Sequence, residues 1–415
     1  MDRIDNATYG QQEPFSVEFR KTRYAGYRSF DYLRDAEDYP VFDMTPEFGH
    51  YPLYDLGLDE QQVERTVRLI DDNLIISLHD HPQIFPASMQ DVHPYLRTGR
   101  QLTSYAGLSR SGMTAVFDNM MDGIACITST AGWKWDDIII DLGMRLADLA
   151  HQDYVVVARS LDDLRQAKEN GRLAMVMSLE AATMIENEVD RIDILYGLGV
   201  RQMGIAYSEA NTLGSGLKEA RDGGLTVFGK RAVQRMNTIG MSIDVSHSGD
   251  QTCLDVFEQS SKPVFITHAG ARAIWNTARM MPDEVLRACA ETGGVIGIEA
   301  APHTSISEAH PTHTLESVMD HFEYCANLMG IDHVAFGPDT QYGDHVGLHD
   351  LFVRNLGLQQ AHGPAHQKVE YIAGIDNPTE NYFNIIGWLV KHGYRDEDII
   401  KVTSTNIIRV LEQVW

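Results

Sequence analysis

The sequence predicts an α/β fold, a (β/α)8 TIM-like barrel carrying an irregular N-terminal extension, and three observations lead there. From residue 74 onward, short apolar runs alternate with amphipathic helical stretches, the pattern of strand–helix units that bury a parallel sheet on both faces. Eight such runs can be drawn before the C-terminus. With 415 residues and 43% hydrophobic content, the chain can fill a large core, and an α/β barrel occupies roughly 250 residues or more as one unit.

Residues 1–70 are read as the extension. They are rich in Tyr, Asp, Glu and Arg, are interrupted by Pro14, Pro40, Pro46 and Pro52, and keep no sustained apolar period. Tyr24, Tyr27, Phe30 and Tyr32 are expected to pack against the main body or a second subunit, so a homo-oligomer is an expectation. Residues 71–415 are assigned to the barrel. Its strands are placed at 74–78, 113–117, 173–179, 202–207, 241–246, 263–267, 294–299 and 332–337. Intervening helices include 136–150, with Ile138, Leu142, Leu146 and Leu149 on one stripe, and 226–239, after the Gly223-Gly224 break.

Thirty-four Lys and Arg stand against 59 Asp and Glu, a formal charge of −25. Phosphate backbones and anionic lipid surfaces are repelled at long range, so neither nucleic acid nor membrane is an expected partner. No run approaches the roughly 18 apolar residues of a membrane helix, and Met1-Asp2-Arg3-Ile4-Asp5-Asn6 lacks a signal-peptide apolar region. A soluble, cytoplasmic chain is the expectation. Cys126, Cys253, Cys289 and Cys325 form no C-x-x-C pair and are expected to be free thiols that neither staple the fold nor bind zinc.

Side chains at the carboxyl ends of barrel strands converge on one mouth, where the chemistry is sought. The first strand runs into His79-Asp80-His81, and residues two apart in an extended segment point the same way, so His79 and His81 can share one metal ion. Asp80 itself is the alternative ligand. The third strand ends at Glu180, the fifth at His247, the sixth at His268 and the eighth at Asp339. Each histidine alone could be a hydrogen-bonded interior residue. Four histidines and two carboxylates, all at strand ends, point jointly to a metal site, in which a carboxylate can bridge two ions roughly 3.5–4 Å apart.

Ordered motifs at these positions carry a resemblance: Leu179-Glu180-Ala181-Ala182, Ile243-Asp244-Val245-Ser246-His247 and Thr267-His268-Ala269-Gly270-Ala271-Arg272-Ala273. They are joined by Gly224-Leu225-Thr226, Arg279-Met280-Met281-Pro282-Asp283-Glu284 and the closing Asn406-Ile407-Ile408-Arg409-Val410-Leu411. The chain from about residue 74 onward resembles the membrane (renal) dipeptidase family of the amidohydrolase superfamily. That resemblance implies two divalent ions, zinc being expected, bridged by Glu180. One would take His79 and His81, the other His247 and His268. A hydroxide shared by the two ions would be the nucleophile. Asp339 would move the proton to the leaving amine, or else serve as hydrogen-bond partner of a ligand histidine. Arg279 would hold the substrate carboxylate, unless it is solvated surface.

Three positions depart from the family pattern. His81 stands where the family has an aspartate, which raises the net charge of the cluster and can shift metal preference. Tyr207 stands where the family has a histidine that supports the polarised carbonyl; it can donate one hydrogen bond to an oxyanion, or be an aromatic packed at the strand end. Glu299 ends the seventh strand, where it would favour an amine-bearing substrate or be a salt-bridged rim residue. The expected activity is hydrolysis of a small amide, with dipeptides first. The rivals are a non-peptide amide hydrolase, a metal-assisted decarboxylase and a catalytically silent ligand-binding barrel. His303, His310, His313, His345, His349, His362 and His366 lack a regular ligand spacing and are read as ordinary loop residues. The long segment 341–377 is expected to fold over the mouth.

Overall fold

The computed structural model describes residues 19–120, 134–356 and 364–415. Cys126 and His362 lie outside the described residues. Eight strands form the barrel: β1 (Ile76–Asp80), β2 (Ala115–Met120), β3 (Leu173–Leu179), β4 (Val200–Gly204), β5 (Ser242–Asp244), β6 (Phe265–Ala269), β7 (Val295–Ile298) and β8 (Val334–Phe336). They pair in chain order, each with its neighbour and all parallel. Every residue in them is buried. Helices outside and side chains inside leave no solvent face, which is why the runs read as continuously apolar.

The eight expected strands are all present, with ends displaced by a few residues. The fourth stops at Gly204, short of Tyr207, because the chain there leaves the ladder after Ile205 N donates to Asp244 O at 3.0 Å. A ninth strand, Val155–Val157, pairs with β3 outside the barrel order. Three residues are too few to show a period, so it was not legible beforehand.

Closure of the barrel positions the site. At the mouth Asp339 N donates to His79 O at 3.0 Å and His81 N to Thr340 O at 2.8 Å, joining the ends of β1 and β8. Gly337 permits the approach: a Cβ there would lie 2.1 Å from Thr267 O and 3.1 Å from His79 Cβ. The Tyr382 hydroxyl spans the same seam, 2.8 Å from Ile76 O and 3.1 Å from Phe336 O.

Five helices matter below: α1 (Glu60–Asp72), α2 (Trp135–Leu149), α3 (Val227–Ile239), α4 (His345–Leu356) and α5 (Asn381–Lys391). The stripe read for α2 is buried at Ile138, Leu142 and Leu149 and half-buried at Leu146, and the helix expected at 226–239 is α3, capped by Thr226, which accepts from Gly229 N. α1 corrects the reading of residues 1–70 as wholly irregular. Its capping box pairs Asp59 with Gln62, and Thr66, Leu69 and Ile70 form its buried stripe against α5. That box, Asp-x-x-Gln, is a start signal the composition obscured.

The aromatic residues of the extension pack on the body. Tyr27 meets Tyr105 edge-on at 5.3 Å, Tyr24 meets Tyr154 at 5.9 Å, and Tyr32 stacks on His151 at 3.7 Å. Asp148, on α2, gathers the segment: its carboxylate accepts from Tyr27 Oη at 2.7 Å, Phe30 N at 2.7 Å, Tyr105 Oη at 2.9 Å and Ser29 Oγ. Segment 341–377 contains α4, and Val369 N donates to His303 Nε2 at 3.2 Å in the loop after β7. Cys253, Cys289 and Cys325 are buried and unbridged. Among the described residues, no helix is long and apolar enough to cross a membrane.

Candidate metal centre

The side chains singled out at the strand ends meet. His79 Nε2 and His81 Nε2, both at the end of β1, lie 3.3 Å apart, and Asp339 Oδ1 is 3.2 Å from the first and 3.0 Å from the second. His247 Nε2 and His268 Nε2 lie 2.9 Å apart, and Glu180 Oε1 is 3.0 and 3.3 Å from them. The His79 and His268 rings touch at 3.5 Å between centroids, so the two pairs adjoin with Glu180 beside them. Two groupings of convergent ligand atoms follow, His79–Glu180–His268 and His79–His81–Asp339.

Neighbouring side chains fix this arrangement. Asp244 Oδ1 accepts from Ser246 N at 3.0 Å, Ser246 Oγ at 2.6 Å and Thr267 N at 2.8 Å, locking β5 to β6. Ser246 Oγ in turn accepts from His268 N at 3.1 Å and lies 3.1 Å from Thr267 Oγ1. With its own hydrogen given to Asp244, Ser246 Oγ accepts from Thr267, and Thr267 Oγ1 accepts from His268 Nδ1–H at 2.8 Å. That tautomer leaves the His268 Nε2 lone pair facing His247 and Glu180. Asn119, at the end of β2, contacts His79 Nδ1 and plays the orienting role there. Sequence reasoning missed Asn119, Asp244, Ser246 and Thr267 as orienting residues; their polar character inside buried strands was the available signal.

Asp80 is not a ligand. Its Oδ1 accepts from Thr340 N at 2.9 Å and Thr340 Oγ1 at 2.7 Å, and its Oδ2 from Ser77 Oγ at 2.6 Å. Adjacent strand residues face opposite ways, so it fastens β1 to the loop after β8 while its neighbours face the mouth.

Electrostatics and satisfaction both suit a cation. Burial holds His79 down at about 4, and His247 and His268 well below the ordinary imidazole value, so these rings offer lone pairs at neutral pH. Burial also opposes charge on His81, but the Asp339 contact prevails and lifts it to about 9. Burial alone would raise Asp339; its histidine neighbours instead hold it well below the usual carboxylate range. A positive charge between His81 and Asp339 is therefore favoured, be it a proton or a metal ion. Glu180 Oε2 is buried without a hydrogen-bond partner, and two facing Nε2 atoms cannot satisfy one another as lone pairs. The donor set of imidazole nitrogens and carboxylate oxygens fits zinc-like divalent ions.

Asp339 has φ of 59°, in the left-handed region that a non-glycine residue enters at a cost. The backbone bond from its N to His79 O holds it there and turns the carboxylate over the first histidine pair. Tyr207 stacks on His247, with centroids 4.1 Å apart and planes 20° apart. It packs at the mouth, directly on a candidate ligand.

Arg279 and Glu299 are both buried, which sets aside the reading of each as a surface or rim residue. Arg279 is not solvated surface: it is buried, donates to His268 O at 2.9 Å and Ser246 O at 3.3 Å, and pairs with Glu299 Oε2. Glu299 is salt-bridged but lies wholly inside, not on the rim. Glu299, with His268 and Asp339, forms a third convergent grouping. Of the later-loop histidines, His303, His313 and His345 are buried, and His310 is an exposed partner of Asp320 at 2.7 Å. Among the described residues, none of them joins a convergent ligand grouping.

A family model described as membrane dipeptidase (peptidase family M19) matches residues 140–352, half of the chain, a span that includes Glu180, His247, His268, Arg279, Glu299 and Asp339 but not His79 or His81. Dipeptidase tcpJ of Claviceps purpurea is 28% identical over 277 residues, 66% of this chain and 59% of that protein. Dipeptidase aclJ of Aspergillus oryzae is 27% identical over 277 residues, 64% of this chain and 60% of that protein. The matched part of the chain thus spans about three-fifths of each relative's length. Among solved structures, an amidohydrolase from Pseudomonas aeruginosa superposes with a TM-score of 0.69 at 23% identity, over 84% of this chain and 99% of that one. A metallopeptidase from Rhodobacter sphaeroides, bound to a phosphinate mimic of L-Ala-D-Ala, gives 0.62 at 19% identity, over 83% and 99%. These structures share the barrel fold, and with the family match covering half of its length, the chain belongs to the membrane dipeptidase family.

Proposed function

We propose that this chain is a metal-dependent hydrolase of small amides of dipeptide size, with dipeptides the leading substrate class. The observation that carries the proposal is the Glu180 carboxylate against one pair of facing imidazoles, next to a second pair that Asp339 covers. His79, His81, Glu180, His247 and His268 would hold two divalent ions, with zinc the best match to the donor set. Such ions supply a lowered water pKa and polarisation of the scissile carbonyl.

The remaining work falls to the chain. Asp339 Oδ1, ionised at neutral pH, accepts the proton of the attacking water and returns it to the leaving nitrogen. The Ser246–Thr267 relay keeps the His268 lone pair aimed inward. Tyr207 walls the mouth against His247, and its hydroxyl would donate to the carbonyl oxygen as charge builds there. The names of the relatives, dipeptidases, support the substrate class.

The test is elemental analysis of protein purified without added metal, then a dipeptide panel after chelation and metal restoration. Two ions per chain with peptide hydrolysis that returns on reconstitution is the expected result. A fully loaded protein that turns over neither peptides nor other small amides would overturn the proposal in favour of a ligand-binding barrel.

A further inference from the structure

The loops after β6, β7 and β8 gather an indole and several imidazoles that the mechanism above does not use. Trp275 follows β6, His303 and His313 follow β7, His345 and His349 stand on α4, and His366 follows α4. The His303 ring lies 6.5 Å from His313 and 4.8 Å from His366, which Trp275 meets at 6.3 Å. His313 is within electrostatic reach of His345 and His349, His345 of Asp339 and His81, and His349 of His247. The group therefore extends from the metal centre outward. His303, His313 and His345 are buried, whereas Trp275, His349 and His366 are only half-buried, so its outer side is open to the surface.

Hydrogen bonds decide what this group can take. Burial holds His313 well below the ordinary imidazole value, so its ring is neutral, with one donor and one acceptor nitrogen. Its Nδ1 accepts from His303 N at 2.9 Å, which places the hydrogen on Nε2. That N–H is buried and has no acceptor among the described residues. His321 shows the same arrangement completed: Nδ1 accepts from Ala271 N at 3.0 Å and Nε2–H donates to Ile306 O at 2.9 Å. His303 Nε2 likewise accepts from a backbone amide, Val369 N at 3.2 Å. A metal-ligating histidine does the reverse, giving its second N–H to an acceptor and keeping a lone pair for the ion, as His268 does through Thr267. The Trp275 Nε1–H, which can only donate, is also buried without an acceptor among the described residues. The group thus offers N–H donors and asks for an oxygen acceptor.

We infer that this histidine-lined chamber is a substrate subsite for a side-chain carbonyl oxygen, so that the preferred dipeptides carry a carboxylate or carboxamide side chain. This rests on the hydrolase reading and narrows it. A site whose buried donors lack a partner discriminates strongly, because an apolar side chain would leave them unpaired in the complex.

The experiment measures metal-loaded protein on dipeptides with glutamate, glutamine or leucine at one position and alanine at the other, in both orders. In one order at least, kcat/KM for the glutamate or glutamine peptide should exceed that for the leucine peptide at least about tenfold. The comparison of glutamate with glutamine tells carboxylate from carboxamide. His313→Asn keeps an oxygen near Nδ1 for His303 N and removes the Nε2–H; it should cut the preference at least about fivefold, mainly through KM. Leucine peptides cleaved as well as both others in both orders, or an unchanged preference in the folded variant, would overturn the inference and leave the chamber a pocket for water. A binding arm needs no turnover: phosphinate isosteres of the same peptides are titrated calorimetrically. Tighter binding of the glutamate or glutamine form supports the inference even where no peptide is cleaved, a result that sinks the hydrolase reading instead. Equal binding of all three overturns it. Trp275→Phe, at a half-buried position and keeping the aromatic ring, supplies the variant comparison if His313→Asn fails to fold.

Discussion

Asp339 concentrates several constraints in one residue. It occupies a left-handed conformation, its backbone closes the barrel on His79, and its carboxylate meets two histidines. Asp339→Asn keeps the shape and the backbone bond but removes the proton acceptor. Metal content should remain near wild type while kcat falls about 10²- to 10⁴-fold, the usual worth of a positioned acid–base group. Stopped assays beside elemental analysis measure both, and full turnover with full metal would remove Asp339 from proton transfer. The same residue shows what sequence could and could not tell. Its place at a strand end, with a carboxylate, was legible; its strained φ and shared contact with His79 and His81 depend on how β1 and β8 close.

At the scale of elements, the seam between β1 and β8 depends on a clamp from outside the sheet. The Tyr382 hydroxyl, on α5, reaches Ile76 O and Phe336 O, one on each strand. Tyr382→Phe removes the single hydroxyl donor that these two buried carbonyls share and should cost about 1–3 kcal/mol. A urea titration measures it, and a midpoint equal to wild type would show the seam held by other contacts. The strands themselves were readable because a doubly covered parallel sheet makes eight apolar runs. The short strand Val155–Val157 and helix α1 were not, the first for lack of length and the second because its charged face and neighbouring prolines obscured the stripe.

Across the whole molecule, buried carboxylates govern how the extension is attached and how stability varies with pH. Asp148 binds the segment from Tyr27 to Phe30 to α2 through several donors. Asp148→Ala should lower stability by at least about 3 kcal/mol, since hydrogen bonds to a charged group contribute roughly 1.5–3 kcal/mol each. Hydrogen exchange at the Phe30 amide should accelerate with it; unchanged protection would mean the aromatic contacts alone hold the segment.

Glu380, preceding α5, behaves in the opposite sense to a salt-bridged acid. Burial raises it to about 7 against the lowering hydrogen bond from Asn377 Nδ2 at 3.1 Å. A folded-state value above the unfolded one of 4.5 means the native chain holds its proton longer. Its stabilisation is full below pH about 4.5 and is lost as pH rises toward about 7, by about 3 kcal/mol in all. Between pH 5 and 8 wild type should therefore lose more stability than Glu380→Gln. Parallel urea midpoints in wild type and variant would show that Glu380 titrates normally.

The sequence by itself determined the barrel and the ligand types at its mouth. Both follow from local rules: strand periodicity, the buried apolar run, and the convergence of strand ends on one face. Tertiary structure alone decided the pairings. Asp80 turned from the mouth to hold Thr340, Arg279 was claimed by Glu299, and Ser246 and Thr267 set the tautomer of His268. Apart from the neighbours Thr267 and His268, each of these joins side chains carried by, or following, different strands. Which two meet depends on register, tilt and closure of the whole sheet, and a linear pattern carries no distance between strands.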